Sequence, residues 1–184
     1  MKNFIIGVIF ALVVAAAGVS YYVMKGYVNT RADQPPSAIE SKLAMSAMDA
    51  SADRNAPDQK NPVTATEENL VAGAKLFHDN CAGCHGLPSN SDTEFGESFY
   101  PPVPQFFKDA PDMPDNENFY VIKHGVRWTG MPAWNKTLTD QQIWQITTFL
   151  ATIGKLPPAA LQQLEPPLQP AAAATAAPAK AEHK

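Results

Sequence analysis

The chain has 184 residues and a mass of 19.9 kDa, which is room for one or two small domains. Its formal net charge of −4 argues against a nucleic-acid-binding protein, because phosphate contacts need clustered Lys and Arg. Its 2 cysteines are too few for a disulfide-rich scaffold. Apolar residues concentrate at the N-terminus and in the middle of the chain, so we predict one small globular domain over 64–154.

The first segment, 1–25, is predicted to be a transmembrane anchor. No charged residue lies between Asn3 and Met24. A helix of this length matches the hydrocarbon core of a bilayer, which is about 30 Å thick. The three alanines at 15–17 also resemble the cleavage site of a signal peptide. We favour a retained anchor because the apolar run continues past that site, and the signal-peptide interpretation stays open.

Two segments are predicted to lack a stable fold. Residues 26–63 contain few large apolar side chains and are predicted to be a flexible linker. Within them, Ser37 and Glu40 form a capping box that allows a short helix over about 38–50. Residues 155–184 are rich in Pro and Ala and are predicted to be a disordered tail.

One motif carries specific chemistry, the run Cys81-Ala82-Gly83-Cys84-His85. Two thiols on one helical turn can each bond to a haem vinyl group, and the following imidazole can then ligate the iron. A thioredoxin-like pair would need a surrounding βαβ pattern, and a structural zinc module would need two further ligands at suitable spacing. The motif therefore predicts one covalent haem c attached to Cys81 and Cys84, with His85 as an axial ligand of the iron.

The second axial ligand must come from another part of the chain. The candidates are Met113, His124 and Met131, with His78 a more remote one. Met131 lies between a glycine, which permits a close backbone approach, and a proline, which stiffens the loop. His124 precedes Gly125 at a predicted helix end and fits a surface position. We predict Met131 as the second ligand, and a thioether ligand would raise the reduction potential.

Residues 64–154 resemble the class I monohaem cytochromes c. The resemblance is carried by GAKLFHDNCAGCHG, by IKHGVRWTGMPAW and by the helix before Gly154. It implies a small all-α fold around a covalent haem and a role as a one-electron carrier. In this family a proline carbonyl accepts a hydrogen bond from the proximal histidine, and Pro101, Pro102 and Pro104 all remain candidates for it.

The resemblance also implies that the first and last helices of this domain cross, with Gly73 and Phe77 meeting Ile146 and Phe149. The residue patterns themselves predict three helices here, with N-terminal caps at Thr64, Asp115 and Thr139. Gly154 is predicted to end the last of them. Four aromatic residues are predicted to line the haem pocket or the core: Tyr100, Phe106, Trp128 and Trp134.

The predicted function is a membrane-tethered one-electron carrier between respiratory complexes, or from a dehydrogenase to an oxidase. Iron with both axial positions filled has no open site, which argues against an enzyme. Alternatives are a haem subunit fixed in a respiratory or dehydrogenase complex, and a haem-based sensor or enzyme in which Met131 is labile. Maturation of such haems outside the cytoplasm, implied by the family, predicts an inner-membrane protein with its haem domain in the periplasm.

The charge distribution predicts the kind of redox partner. Between 64 and 155 there are 11 acidic residues and 6 basic ones. Seven of the acids fall within 92–117, where Lys108 is the one basic residue. Such a surface favours transient contact with a protein partner that carries a basic docking patch. No nucleic-acid partner is expected, and membrane contact is expected through the N-terminal helix.

Overall fold

The structure, a computed structural model, describes residues 1–165, and every regular element within them is helical. The eight α-helices are α1 (Lys2–Met24), α2 (Ala38–Asn55), α3 (Glu67–Asn80), α4 (Ala82–His85), α5 (Glu94–Glu97), α6 (Asp115–His124), α7 (Asp140–Ala151) and α8 (Pro158–Leu164). Two short 3₁₀ turns follow α6 and α7. No β-strand occurs in this part of the chain, so the all-α prediction is confirmed.

The chain divides into two compact units, and α1 lies in the first of them, Met1–Gln34. α1 is long and apolar enough to cross a membrane, and none of its side chains is buried by protein. It is therefore a candidate transmembrane helix at the predicted position. A signal sequence near the N-terminus has the same length and composition.

The second unit is built on the crossing of α3 and α7. Gly73 is buried at the crossing, and a β-carbon there would lie 2.8 Å from Cβ of Phe149 and would overlap the carbonyl oxygen of Gln145. Only glycine lets the two helices approach so closely. Next to this contact, the rings of Phe77 and Phe149 lie 5.1 Å apart and are fully buried. The structure thus shows the helix contact that the resemblance implied.

The helix starts were predicted with mixed success. Thr139 caps α7 in the predicted capping box. The predicted cap at Thr64 is wrong, because Oγ1 of Thr66 accepts the backbone N–H of Asn69 and fixes the start of α3 two residues later. The Thr64 carbonyl instead accepts the side-chain amide of Asn69, which holds the incoming chain against the first turn.

Two other helix ends also differ from prediction. Asp115 is the first residue of α6 rather than its cap, because its carboxylate accepts the side-chain amide of Asn61 and Pro114 occupies the cap position. The predicted terminator Gly154 lies beyond the end of α7. The helix stops earlier because Thr152 leaves the helical backbone conformation, with φ of −116° and ψ of 8°, and its N–H donates to the carbonyl of Phe149, three residues back.

The tail predicted to be disordered over 155–184 contains a packed helix, so the prediction is wrong for α8. Pro158 occupies the first turn of α8, where a proline needs no hydrogen-bond partner. Ala160 and Leu164 lie one turn apart and are fully buried, and α8 packs against α3. The remainder of the predicted tail, 166–184, lies outside the described residues.

The linker predicted over 26–63 also contains a folded element, since α2 is longer than the short helix that was allowed there. Ser37 caps it as predicted, by accepting the backbone N–H of Glu40. α2 contacts α6, and Ala52 is 1% exposed. At its first turn, the Tyr100 hydroxyl donates to Oε1 of Glu40 at 2.6 Å. Much of the predicted linker is therefore docked on the domain.

Truncation of Leu164 tests whether α8 belongs to the folded domain. Because this side chain is fully buried, we expect Leu164→Ala to lower the free energy of unfolding by about 2–5 kcal/mol. Leu161, on the same helix and 42% exposed, provides the matched control, and Leu161→Ala should cost below about 1 kcal/mol. Guanidinium unfolding followed by circular dichroism measures both values. Equal losses in the two variants would contradict the packing of α8.

The hydrogen bond between Tyr100 and Glu40 predicts a pH dependence in the attachment of α2. Donation to this carboxylate raises the pKa of Tyr100 from 10.0 to about 12, because the phenolate would face a negative charge. Since the folded pKa is the higher one, the bond stabilises α2 docking fully below pH 10 and is lost as the pH rises toward about 12.

Ultraviolet difference titration of the wild type against Tyr100→Phe isolates the ionisation of this one tyrosine. The Glu40→Gln variant should bring the pKa of Tyr100 back toward its ordinary value. A Tyr100 pKa that is the same in the wild type and in Glu40→Gln would show that the bond does not form in solution.

Candidate haem site

The CxxCH residues lie on a single helical turn. α3 ends at Asn80, the backbone bends at Cys81, and α4 then carries the motif through His85. Both cysteines are free thiols and half-buried, while His85 is buried. The structure therefore brings the two predicted attachment thiols and the predicted proximal imidazole together on one short element.

The imidazole of His85 is fixed from two sides. Its Nδ1 lies 2.8 Å from the carbonyl oxygen of Pro104 and donates to it. Of the three candidate prolines, Pro104 is therefore the one whose carbonyl accepts this hydrogen bond. The ring of Phe106 stacks on the imidazole at 4.3 Å with an interplanar angle of 6°. With Nδ1 engaged, Nε2 is the nitrogen left to bind a metal. Burial lowers the pKa of His85, although its hydrogen bond to Pro104 opposes the shift, and so favours the neutral ligand form.

Gln105 ties the motif to the rest of the site. Its side-chain amide donates to the Cys84 carbonyl at 2.8 Å, and its Oε1 accepts the backbone N–H of Thr93 at 3.0 Å. Gly96 packs so closely here that a β-carbon would lie 2.7 Å from Nε2 of Gln105. Sequence reasoning missed Gln105, because nothing in the local pattern marks a glutamine whose partners lie elsewhere in the chain.

Met131 lies in a tight loop between α6 and the next 3₁₀ turn. Gly125 opens the loop with φ of 67°, and a β-carbon there would lie 2.6 Å from the carbonyl carbon of Pro132. The Met131 N–H donates to Oγ1 of Thr129 at 3.1 Å, and its carbonyl accepts from Val126 at 3.2 Å. The Met131 side chain is half-buried and packs against the core. The loop thus holds this thioether in a defined place.

The other candidate ligands occupy different surroundings. His124 is exposed at the end of α6, where its ring lies 4.8 Å from that of Tyr120. His78 lies 3.2 Å from the carboxylate of Asp79 on the outer part of α3. Met113 is half-buried just before α6. Exposure argues against His124, and the preference for Met131 over Met113 rests on its hydrogen-bonded loop, so ligation of iron by Met131 stays a prediction.

The donor set suits a metal carried by a porphyrin. Burial and the neighbouring Cys84 raise the pKa of Cys81 to about 12, whereas a redox-active dithiol needs a lowered pKa. Among residues 1–165, no group of three or more His, Cys, Asp or Glu side chains could hold a bare metal ion. The indole N–H of Trp134 is buried without a hydrogen-bond partner, and a haem carboxylate is a suitable acceptor for it. The residues present therefore fit haem.

The predicted pocket aromatics fall into three groups. Phe106 packs directly on the proximal imidazole, and Trp134 is half-buried close to Met131 in the chain. Tyr100 instead binds α2 through Glu40. Trp128 is 91% exposed and lies outside the core. It lies in the 125–132 loop, and its backbone has φ of 62°.

These features define residues 68–150 as a monohaem c-type cytochrome domain, an electron-transport module that carries covalently bound haem c. The same residues match the family model described as cytochrome c oxidase, cbb3-type, subunit III.

Curated relatives are named as subunits of the same kind of oxidase. The chain is 32% identical over 95 residues to the cbb3-type cytochrome c oxidase subunit FixPc of Rhizobium leguminosarum, which covers 45% of this chain and 27% of the relative. It is 31% identical over 96 residues to FixP of Rhizobium etli, covering 46% and 28%. The match thus spans about a quarter of the length of these relatives.

A solved structure, the reducing HAO-like protein complex of Kuenenia stuttgartiensis, aligns with a TM-score of 0.42 and 20% identity. The alignment covers 56% of this chain and 54% of that one.

Proposed function

We propose that the chain is a membrane-tethered one-electron carrier in which Cys81 and Cys84 attach the haem and His85 and Met131 ligate its iron. The observation that carries this proposal is the fixed imidazole of His85, held by Pro104 with Nε2 left available. When bound, haem c supplies an iron that is reversibly oxidised and reduced by one electron.

The protein residues keep the site rigid through the change in charge. Pro104 and Phe106 fix the orientation of the proximal ring, so that it does not have to turn when the iron changes oxidation state. Hydrogen bonds within the 125–132 loop fix the second ligand in the same way. Two fixed axial ligands would close the metal to oxygen and peroxide, so the proposed role is electron transfer and not catalysis at this haem.

The proposed setting is a respiratory chain. Relatives of this domain are named as oxidase subunits, which supports a terminal oxidase as electron acceptor and a quinol-oxidising complex or dehydrogenase as donor. The haem domain would then lie on the periplasmic side of the inner membrane, anchored by α1. Docking of α2 on the domain supports a carrier held close to its partners, or one fixed in their complex, over a freely swinging one.

An absorption spectrum of the full chain purified in detergent tests this proposal. We expect a Soret band, together with the weak band at the red edge that reports a bond between methionine sulfur and ferric iron. The reduced protein should not bind carbon monoxide at neutral pH. Ready binding of carbon monoxide would favour the sensor or small-ligand enzyme with a labile Met131, and a colourless protein would refute any haem function.

A further inference from the structure

The side-chain amide of Gln105 joins three segments around the CxxCH turn. Its Nε2 donates to the carbonyl oxygens of Cys84 and Val103, at 2.8 and 2.9 Å. Its Oε1 accepts the backbone N–H of Thr93 at 3.0 Å, and the Thr93 hydroxyl lies 3.2 Å from the same oxygen. Both amide protons are therefore engaged, and the amide bonds to the CxxCH turn, to the cap of α5 and to the chain before Pro104.

The partners of this amide allow it a single orientation. A carbonyl oxygen only accepts and a backbone N–H only donates, so Nε2 has to face Cys84 and Val103 while Oε1 faces Thr93. A reversed amide would lose all three bonds and bring oxygen against oxygen. Fixing a glutamine in this way costs side-chain entropy, which an exposed glutamine keeps. Because the amide is fixed, it can hold the three segments at set distances from one another.

The chain over 101–105 depends on bonds of this kind. Three of its five residues are prolines, which have no backbone N–H to donate. The Val103 N–H donates to the carbonyl of Gly96 at 3.0 Å, which attaches the segment to α5. The amide of Gln105 adds a bond to the CxxCH turn, through the carbonyl of Cys84. A side chain thus supplies a contact that the proline-rich backbone cannot make.

The same segment holds the proximal imidazole. Nδ1 of His85 donates to the carbonyl of Pro104, the residue immediately before Gln105, at 2.8 Å. The Phe106 N–H donates to the His85 carbonyl at 3.1 Å. Since His85 directly follows Cys84, the bond from Gln105 and the bond from the imidazole join the same two segments. Loss of the amide would remove one of the bonds that keep the Pro104 carbonyl next to Nδ1.

We propose that Gln105 is a positioning residue for the proximal ligand: it keeps the Pro104 carbonyl against Nδ1 of His85 and thereby sets how strongly Nε2 donates to the haem iron. The inference rests on the proposed function, because it uses His85 as a ligand of that iron. A carbonyl that shares the Nδ1 proton makes the imidazole more basic, and a more basic ligand stabilises ferric iron. Loosening this hydrogen bond should therefore shift the haem toward the ferrous form.

A redox titration of the full chain in detergent tests the inference. We expect Gln105→Leu to shift the reduction equilibrium about 3- to 10-fold toward the ferrous form, which is about 30–60 mV for a one-electron couple. Gln145→Leu is the matched control, because the Gln145 amide is also half-buried and donates to Oδ1 of Asn69 at 3.2 Å, between α7 and α3. The equilibrium of this control should stay within about 2-fold of the wild type.

Proton exchange at His85 reports the hydrogen bond itself. Paramagnetic ferric iron separates the Nδ1–H resonance of its ligand from the rest of the proton NMR spectrum, so its exchange with deuterium can be followed in the full chain. Removing the Gln105 amide weakens the closed state by about one to two hydrogen bonds, so Gln105→Leu should speed this exchange about 5- to 30-fold. Gln145→Leu should exchange at the wild-type rate. A general loss of stability would not separate the two variants.

A milder variant keeps the test decisive if Gln105→Leu does not take up haem. In Gln105→Asn the amide is one methylene shorter and cannot bond to both Cys84 and Thr93. The redox equilibrium and the proton exchange should therefore both change in the same direction as in Gln105→Leu, and by less.

Three results would overturn the inference: wild-type potential and exchange in both Gln105 variants, a shift of their equilibrium toward the ferric form, or an equal shift in Gln145→Leu. All three leave the proposed function intact, provided that the wild type shows the six-coordinate spectrum. A wild type without that spectrum would refute the proposed function, and the role of Gln105 with it.

Discussion

Replacing Met131 with alanine is expected to abolish the absorption band at the red edge and to lower the reduction potential. A thioether stabilises ferrous iron, so water or another donor in its place shifts the balance toward the ferric form. Because axial ligands span about 0.8 V between them, a fall on the order of 0.1–0.3 V is expected. The reduced variant should also bind carbon monoxide. Spectroelectrochemical titration of the full chain measures all three effects.

The control for Met131 is Met113, a half-buried methionine of the same domain that lies just before α6. Met113→Ala should leave both the band and the potential unchanged. His124→Ala should do the same, since its imidazole is exposed at the end of α6. If one of these two variants loses the band while Met131→Ala keeps it, the second ligand has been assigned to the wrong residue.

Replacing both cysteines with serine is expected to remove covalent haem altogether. A serine hydroxyl forms no thioether with a vinyl group, and the chain has no other cysteine that could substitute. The Cys81→Ser, Cys84→Ser variant should therefore show no haem after denaturing electrophoresis, while the single variant Cys84→Ser should keep a weakened and shifted spectrum. The domain should also lose stability, since a small core depends on the apolar surface that haem contributes.

The chain offers a matched control within the same turn. Gly83 is exposed, and a β-carbon there would meet no atom within 4 Å. Gly83→Ala should consequently keep full haem attachment. Haem that resists denaturation in the double serine variant would show that attachment does not proceed through these sulfur atoms.

The sequence could predict those parts of the fold that depend on local chemistry. The capping box at Thr139 is complete within four residues, and the structure contains it. The CxxCH spacing places three side chains on one turn whatever surrounds it. The crossing at Gly73 came from the family resemblance, because the helix that approaches it lies far along the chain.

What the sequence could not predict depends on distant partners. α8 has the composition of a disordered tail, and it is ordered because α3 offers a surface for Leu164. The sequence could not distinguish Pro104 from the two other candidate prolines, because the distinction depends on which carbonyl the fold places next to Nδ1 of His85. Gln105 forms hydrogen bonds with Cys84 and Thr93, which lie well before it in the sequence, and no local sequence pattern predicts such contacts.

The docking of α2 also limits how much of the chain between α1 and the haem domain can act as a flexible tether. An unfolded segment over 26–63 would be a flexible tether with a root-mean-square end-to-end distance of about 35 Å. With α2 packed on the domain, at most residues 25–37 could act as a flexible coil, and a coil of that length has a root-mean-square end-to-end distance of about 20 Å. In the proposed membrane-tethered carrier, this shortening would reduce the volume that the domain searches about fivefold and would raise the effective concentration of a membrane-bound partner accordingly.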